Sequence, residues 1–184
     1  MKRVFDILVS FIAILLFSPV LATVSILIYK NDRGSVLFRQ KRVGMNGKEF
    51  NILKFRSMVE NASELGGYQT LDSDSRITKI GSFIRKASID ELPQFLNVLK
   101  GDMSIVGPRP NVPAQRVEYQ ESEWNKRNSV RPGITGLAQA MGRSSLSPKS
   151  RTQLDLEYAE SHSFIGDISI LFLTVKQIIT QGGN

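Results

Sequence analysis

Residues 4–28 read VFDILVSFIAILLFSPVLATVSILI, and how this run folds decides the architecture of the chain. It is apolar except at Asp6, Ser10, Ser18, Pro19, Thr23 and Ser25, and a straight helix of that length would cross a bilayer. Two features argue against a straight crossing. Lys2 and Arg3 precede the run, while Lys30, Arg33, Arg39, Lys41 and Arg42 follow it. The positive-inside rule therefore places both flanks in the cytoplasm, which a single span cannot satisfy. Pro19 lies near the middle, where it removes a backbone hydrogen bond at a cost of about 3 kcal/mol in an ideal helix interior. Ser18 beside it can bond a freed carbonyl. Each half, Asp6 to Phe17 and Pro19 to Lys30, is about 18 Å long as a helix, enough to pass the bilayer midplane and return. We expect a re-entrant helix-break-helix anchor over residues 1–30, broken at Ser18-Pro19. The alternatives are a single span and a cleaved signal peptide, for which Val20-Leu21-Ala22 resembles a cleavage site although apolar residues continue to Ile28.

The remaining residues, 31–184, suffice for one domain with its own core and not for two. Lys and Arg outnumber Asp and Glu by 24 to 17, a formal charge of +7, which favours anionic partners: acidic lipid, phosphorylated substrates or nucleic acid. The chain has no cysteine and a single histidine, His162. Disulfides, thiol nucleophiles, zinc fingers and two-histidine metal sites are excluded. A metal here must be a hard, oxygen-bound ion such as Mg²⁺, and a nucleophile must be a carboxylate, hydroxyl or amine.

The pattern predicts an α+β fold, mainly helical. Two strand-like runs, Val36 to Arg39 and Phe50 to Leu53, flank Asn46-Gly47 and predict a β-hairpin. Helices are expected over Ser57–Glu64, Arg76–Lys86, from the acidic pair Asp90-Glu91 to Lys100 before Gly101, over Val112–Asn128 and over Gln153–Ser161. The proline-rich stretches Gly107-Pro108-Arg109-Pro110 and Arg131-Pro132-Gly133-Ile134-Thr135-Gly136 read as loops. Ile168 to Ile179 is apolar but too short to span, so it is core or an interfacial helix, and amphipathic or interfacial helices are expected around a site at the membrane face.

Ser88-Ile89-Asp90-Glu91-Leu92-Pro93-Gln94 puts two adjacent carboxylates at an expected helix start. Ser88 and Glu91 fit a capping box, and acidic first turns are common because free N–H groups there favour anions. The same geometry keeps a carboxylate ionised and leaves donors for a phosphate. Adjacent side chains diverge by about 100°, so one carboxylate could attack while the other holds a metal. Asp72-Ser73-Asp74 resembles a metal-binding Asp-x-Asp, although capping of the helix from Arg76 explains it better. No Gly-x-Gly-x-x-Gly or Walker A stretch is present. Trp124 reads as core or an interface anchor and His162 as structural.

The ordered set Lys54-Phe55-Arg56-Ser57-Met58, Asp90-Glu91-Leu92-Pro93-Gln94, Asn97 to Ser104, Gly107-Pro108-Arg109-Pro110 and Arg131 to Gly136 resembles the bacterial sugar transferase family, the small monotopic polyprenyl-phosphate phosphoglycosyl transferases. The likeness runs from the Ser18-Pro19 anchor almost to the carboxy terminus. It implies transfer of a sugar 1-phosphate from a UDP-sugar to undecaprenyl phosphate, with release of UMP and use of Mg²⁺. That reaction is the first membrane step of surface glycan assembly (O-antigen, capsule, exopolysaccharide or glycoprotein). It implies a catalytic domain on the cytoplasmic face of the bacterial inner membrane and no nucleic-acid partner; a homo-oligomer is left open. By the same resemblance Asp90 is the nucleophile of a covalent phosphosugar intermediate and Glu91 holds Mg²⁺. Lys54 and Arg85 are active-site cations, while Arg109, Arg131 and Arg143 contact phosphate or nucleotide. Asp155, Tyr158 and Asp167 fit the carboxy-terminal pattern, the first two as substrate contacts. Many members carry a long multi-span amino-terminal region, so this chain is expected to be the minimal catalytic form. Where the family has a tryptophan and acidic or amide residues, this chain has Ser147-Pro148-Lys149-Ser150-Arg151, a loop expected, with Ser144, to bear on sugar choice. Two other readings stand beside this one. The first is a membrane-anchored, non-enzymatic module whose basic face binds anionic lipid or nucleic acid. The second is a glycosyltransferase that uses Asp72 and Asp74 and releases UDP.

Overall fold

A computed structural model describes residues 1–66, 74–142 and 146–181 of the chain. Its first element, α1 (Lys2–Asp32), corrects the expectation of two half-helices: it is one helix with Pro19 inside it. The physical reason lies beside the proline. The Ser18 hydroxyl donates to the carbonyl of Leu15 at 2.8 Å, the acceptor that Pro19, lacking an N–H, leaves without its helical partner. Thr23 likewise donates to the Pro19 carbonyl. Polar residues that looked like interruptions are absorbed by the helix backbone.

Both ends of α1 seat on the same globular body. At the first end Arg3 donates to the carbonyls of Val98 and Leu99. Asp6, fully buried within an otherwise apolar run, accepts from the Ser104 hydroxyl and the Ile105 amide. At the other end Val24 and Ile28 pack with Phe55 and Ile84, and Asp32 pairs with Arg56. Between them Phe11, Ile12, Leu15, Leu16, Phe17 and Val20 stand exposed. Among the described residues α1 is the one helix long and apolar enough to cross a membrane.

The expected hairpin forms from β1 (Leu37–Val43) and β2 (Glu49–Phe55), antiparallel with Leu37 opposite Phe55 and Val43 opposite Glu49. Asn46 and Gly47 take φ of 57° and 76°, the left-handed region these two residue types tolerate best. The helix expected over Ser57–Glu64 shrinks to α2 (Ala62–Leu65). Next, α3 (Lys79–Lys86) starts later than expected, at Thr78, whose hydroxyl accepts from the Gly81 amide.

After a 3₁₀ turn over Ile89–Glu91 comes α4 (Gln94–Lys100), closed by Gly101 at φ 99°. Asn97 stitches α4 to the hairpin. Its amide donates to the Asn51 carbonyl while its oxygen accepts from the Leu53 amide, so a side chain completes the edge of β2 as a strand would.

Of the two proline-rich stretches, Gly107–Pro110 is a loop as expected, while Arg131–Gly136 contributes a strand to a small sheet. β3 (Ser104–Val106) runs parallel to β4 (Gly133–Thr135). Glycine is what allows the approach: a Cβ on Gly133 would lie 2.1 Å from the Gly107 nitrogen. Three residues per strand leave no periodicity for sequence reading to catch.

The helix expected over Val112–Asn128 divides into a 3₁₀ turn (Pro113–Glu118) and α5 (Glu121–Arg127), because Tyr119 and Gln120 are extended and Gln120 starts a new capping box with Glu123. α6 (Leu137–Met141) follows β4. α7 (Pro148–Ser161) begins earlier than expected, since Ser147 caps it and Pro148 occupies its first position. The stretch expected to form a sugar-selecting loop is thus largely the first turn of α7. α8 (Phe164–Gln181) is two-faced: Ile170 and Asp167 are buried, whereas Ile165, Phe172 and Val175 face outward.

The main core gathers Phe50, Ile52, Val98, Met103, Ile105, Val106, Ala140, Tyr158 and Ile170. Each large apolar side chain fully buried there contributes roughly 1.5–3 kcal/mol.

Candidate active site

Four cations converge on the acidic pair. Lys54 comes from β2, Arg85 from the end of α3, Arg109 from the loop after β3, and Arg42 from β1. The Glu91 Oε1 accepts from Lys54 Nζ at 2.7 Å and from Arg109 Nη2 at 2.8 Å. Arg42 donates to the Pro110 carbonyl, one residue from Arg109, and to the Gln40 side chain.

The pair does not cap a helix. Ser88 sits in the left-handed region at φ 54° and makes no side-chain cap, and α4 starts only after Pro93. The capping box fails because Glu91, its intended acceptor, is taken by two tertiary cations. A non-glycine residue at positive φ costs about 1–2 kcal/mol, and here it turns the chain so that Asp90 and Glu91 face the strand carrying Lys54.

The two carboxylates occupy different environments. Burial alone would raise the Glu91 carboxyl, but Arg109 and Lys54 override it and hold it well below the usual range. Asp90 makes no hydrogen bond or ion pair among the described residues, and burial pushes its carboxyl up, opposed by Lys54 and reinforced by the neighbouring Glu91. Burial and the proximity of Arg109 lower the Lys54 ammonium; burial, with Arg109 again, brings Arg42 down to about 10. Environments that push two neighbouring carboxylates apart divide their roles. Glu91 is a fixed counter-ion, and Asp90 is a free, more basic carboxylate. With four cations around two carboxylates, the site has positive charge left for a multiply charged anion.

Arg85 is the outermost of the four cations, partly exposed and acting on Asp90 by its charge without direct contact. The other expected residues are placed elsewhere. Arg131 donates to the Gly101 carbonyl at the far end of α4, where Arg3 also binds, so both stabilise a helix C-terminus. Asp155 is buried against Arg127 at 2.8 Å. The Tyr158 hydroxyl donates to Asp167 and to the Val106 carbonyl, with Lys2 completing that cluster. Asp155 and Tyr158, expected at the substrate, are therefore occupied with protein partners. Arg143, Ser144 and Asp72 lie outside the described residues. Asp74 is bound by Arg76 at 2.6 Å, and Trp124 is buried with Arg116 over its ring. Sequence reading missed Arg42 and Arg127; nothing local separates an arginine that turns inward from one in a solvated charge run.

Among the described residues no group of three or more His, Asp or Glu side chains is disposed to hold a metal. The donor set still suits Mg²⁺, which binds through one or two carboxylates and takes its remaining ligands from phosphate and water. Asp90 is free, and Glu91 uses only Oε1 for its cations.

The family model described as bacterial sugar transferase matches residues 1–181. The chain belongs to the bacterial sugar transferase family. Among its relatives, an undecaprenyl-phosphate glucose phosphotransferase of Komagataeibacter xylinus is 46% identical over 97% of this chain and 36% of its own length. A UDP-N-acetylgalactosamine-undecaprenyl-phosphate N-acetylgalactosaminephosphotransferase of Aeromonas hydrophila is 42% identical over 99% of this chain and 44% of its own. An uncharacterized sugar transferase EpsL of Bacillus subtilis (strain 168) is 42% identical, with 100% of this chain and 89% of the relative aligned. The chain thus spans less than half of the first two family members and nearly all of the third.

Proposed function

We propose that this chain transfers a sugar 1-phosphate from a UDP-sugar to undecaprenyl phosphate and releases UMP. The observation that carries the reading is the unequal pair: a tethered Glu91 beside a free Asp90 inside a cluster of cations. Two relatives named as undecaprenyl-phosphate sugar phosphotransferases, one of them with a UDP-sugar in its name, support it. Because those names differ in the sugar at similar identity, the sugar is left to experiment.

In this mechanism Asp90 attacks the sugar-bearing phosphorus of the diphosphate. A bond forms between a carboxylate oxygen and that phosphorus, the bridging P–O bond breaks, and UMP leaves with the electron pair. An oxygen of undecaprenyl phosphate then attacks the same phosphorus and returns Asp90 as carboxylate. Neither step needs a strong base, since one phosphate anhydride is exchanged for another by way of a mixed anhydride. Arg109, Lys54 and Arg42 neutralise the diphosphate and hold it in line. Glu91, through its unengaged Oε2, and Asp90 are the residues that would hold Mg²⁺, which would supply further charge neutralisation for the diphosphate.

Supplying a panel of UDP-sugars with undecaprenyl phosphate and Mg²⁺ tests the reading. UMP from at least one sugar, abolished by chelation, is expected. UDP as product would favour the Asp72/Asp74 glycosyltransferase, and salt-sensitive lipid or nucleic-acid binding without turnover would favour the non-enzymatic module.

The anchor reading is re-entrant, with residues 1–30 as anchor, residues 31–184 as catalytic domain and both ends of α1 on the cytoplasmic side. What supports it is that both ends pack on one body while the middle stands clear; the re-entrant path then requires α1 to bend without breaking, and a proline such as Pro19 is where a helix bends most readily. Cysteines placed at Lys2 and Lys30 of this cysteine-free chain should both resist an impermeant thiol reagent in sealed cells. Labelling at either one would restore a spanning helix.

A further inference from the structure

Arg109 lies in a loop whose main chain is fastened at every residue. The Gly107 amide donates to the Thr135 carbonyl, and the Pro108 carbonyl accepts from the Gly133 amide. The Arg109 carbonyl accepts from Arg127 Nη2, and the Pro110 carbonyl from Arg42. Prolines on both sides of Arg109 restrict the backbone further. Three of these fasteners are backbone groups or a half-buried side chain. The fourth, Arg127, is different in kind: it sits at 3% exposure on α5, with Asp155 of α7 at 2%, and is joined to it through Nε at 2.9 Å and Nη2 at 2.8 Å. Its guanidinium also lies 5.8 Å from the Tyr119 ring centre.

A fully buried ion pair is poorly explained by stability, because apolar residues of the same volume usually serve as well or better. What this pair adds is direction. A planar guanidinium held by one carboxylate can present its remaining N–H at only one angle, and here that N–H meets the carbonyl of the residue whose own guanidinium binds Glu91.

We propose that Arg127 is a positioning residue for the transfer reaction: braced by Asp155, it fixes the Arg109 main chain so that the Arg109 guanidinium stays beside Glu91 and the diphosphate. The inference rests on Arg109 being a diphosphate contact, as the proposed function requires. Arg127 touches no substrate itself and acts through Arg109.

The test is a double-mutant cycle between the strut and Arg109, read both as kcat/KM for UMP release and as Kd for UDP alone. The strut is removed by Arg127→Met. It is removed again by Arg127→Met with Asp155→Leu, which leaves no buried charge unpaired and keeps the cycle available if the single variant does not fold. Each strut variant should lose roughly 10–100-fold in kcat/KM and several-fold in UDP affinity, as Arg109→Ala should. Combining either with Arg109→Ala should add less than about twofold, because the strut has no other route to the substrate. Arg127→Lys, which keeps the charge but loses the fork, should recover part of the loss. Independent losses that multiply would overturn the inference, as would a folded strut variant with wild-type kcat/KM. If the wild type binds UDP but makes no UMP, the transferase reading fails and the Kd cycle still decides this one. If it does neither, both fail.

Discussion

Asp90→Asn should abolish UMP release from any UDP-sugar the wild type accepts, by more than about a thousandfold, as expected when a nucleophile is removed and only binding remains. Asparagine keeps the size and shape of the side chain, and Asp90 makes no hydrogen bond or ion pair that the change would break among the described residues. Burial disfavours its charge, so a neutral replacement should leave thermal stability unchanged or raise it. UDP should bind at least as well, since one negative charge has left a site meant for a diphosphate. Lost turnover with retained fold and affinity separates the nucleophile from a structural carboxylate. A folded Asp90→Asn enzyme with near-normal turnover would remove Asp90 from the mechanism. Glu91→Gln should behave differently, because it weakens two short contacts to Lys54 and Arg109 at 2.7 and 2.8 Å and loosens the site as a whole.

The second large effect is on stability. Asp155→Ala should cost about 3–5 kcal/mol, because it leaves the Arg127 guanidinium buried without its counter-charge. For a chain of this size that corresponds to a fall in Tm of roughly 6–20 °C, measured by thermal melting of the detergent-solubilised protein. The pairing is what the fold needs, not either charge, so Arg127→Met combined with Asp155→Leu should recover most of the loss. A drop below about 1 kcal/mol for Asp155→Ala would mean that water reaches Arg127 and that the α5–α7 junction is looser than its 2.8 Å contact implies.

The parts of this fold that were legible are those a local pattern dictates. The apolar run, the Asn46-Gly47 hairpin and the Gly101 stop each rest on a few adjacent residues with one low-energy arrangement. The failures occurred where a distant group changed the local outcome. Ser88 and Glu91 fit a capping box, yet Lys54 and Arg109 offered Glu91 two charged donors instead of one backbone amide. Ser18 and Pro19 read as a break although the serine hydroxyl was visible beside the lost N–H, because the pattern does not show whether that hydroxyl closes the helix or leaves it open. Asp6 looked like a flaw in an apolar helix and is the acceptor that ties α1 to β3. At the site, motif resemblance pointed to Asp90, Glu91, Lys54 and Arg109, which the structure brings together. It grouped them with Asp155 and Tyr158, whose side chains meet Arg127 and the Val106 carbonyl instead. Distinguishing a side chain that would touch substrate from one that holds its neighbour requires knowing which way it points.

The covalent step is decided by the intact mass of the enzyme after mixing with an accepted UDP-sugar and Mg²⁺, without lipid acceptor. The expected result is UMP release stoichiometric with enzyme and a mass gain of one sugar phosphate, mapped to the peptide carrying Asp90 and discharged on addition of undecaprenyl phosphate. UMP that appears only when lipid is present, with Asp90 unmodified throughout, would mean direct transfer between substrates and would contradict it.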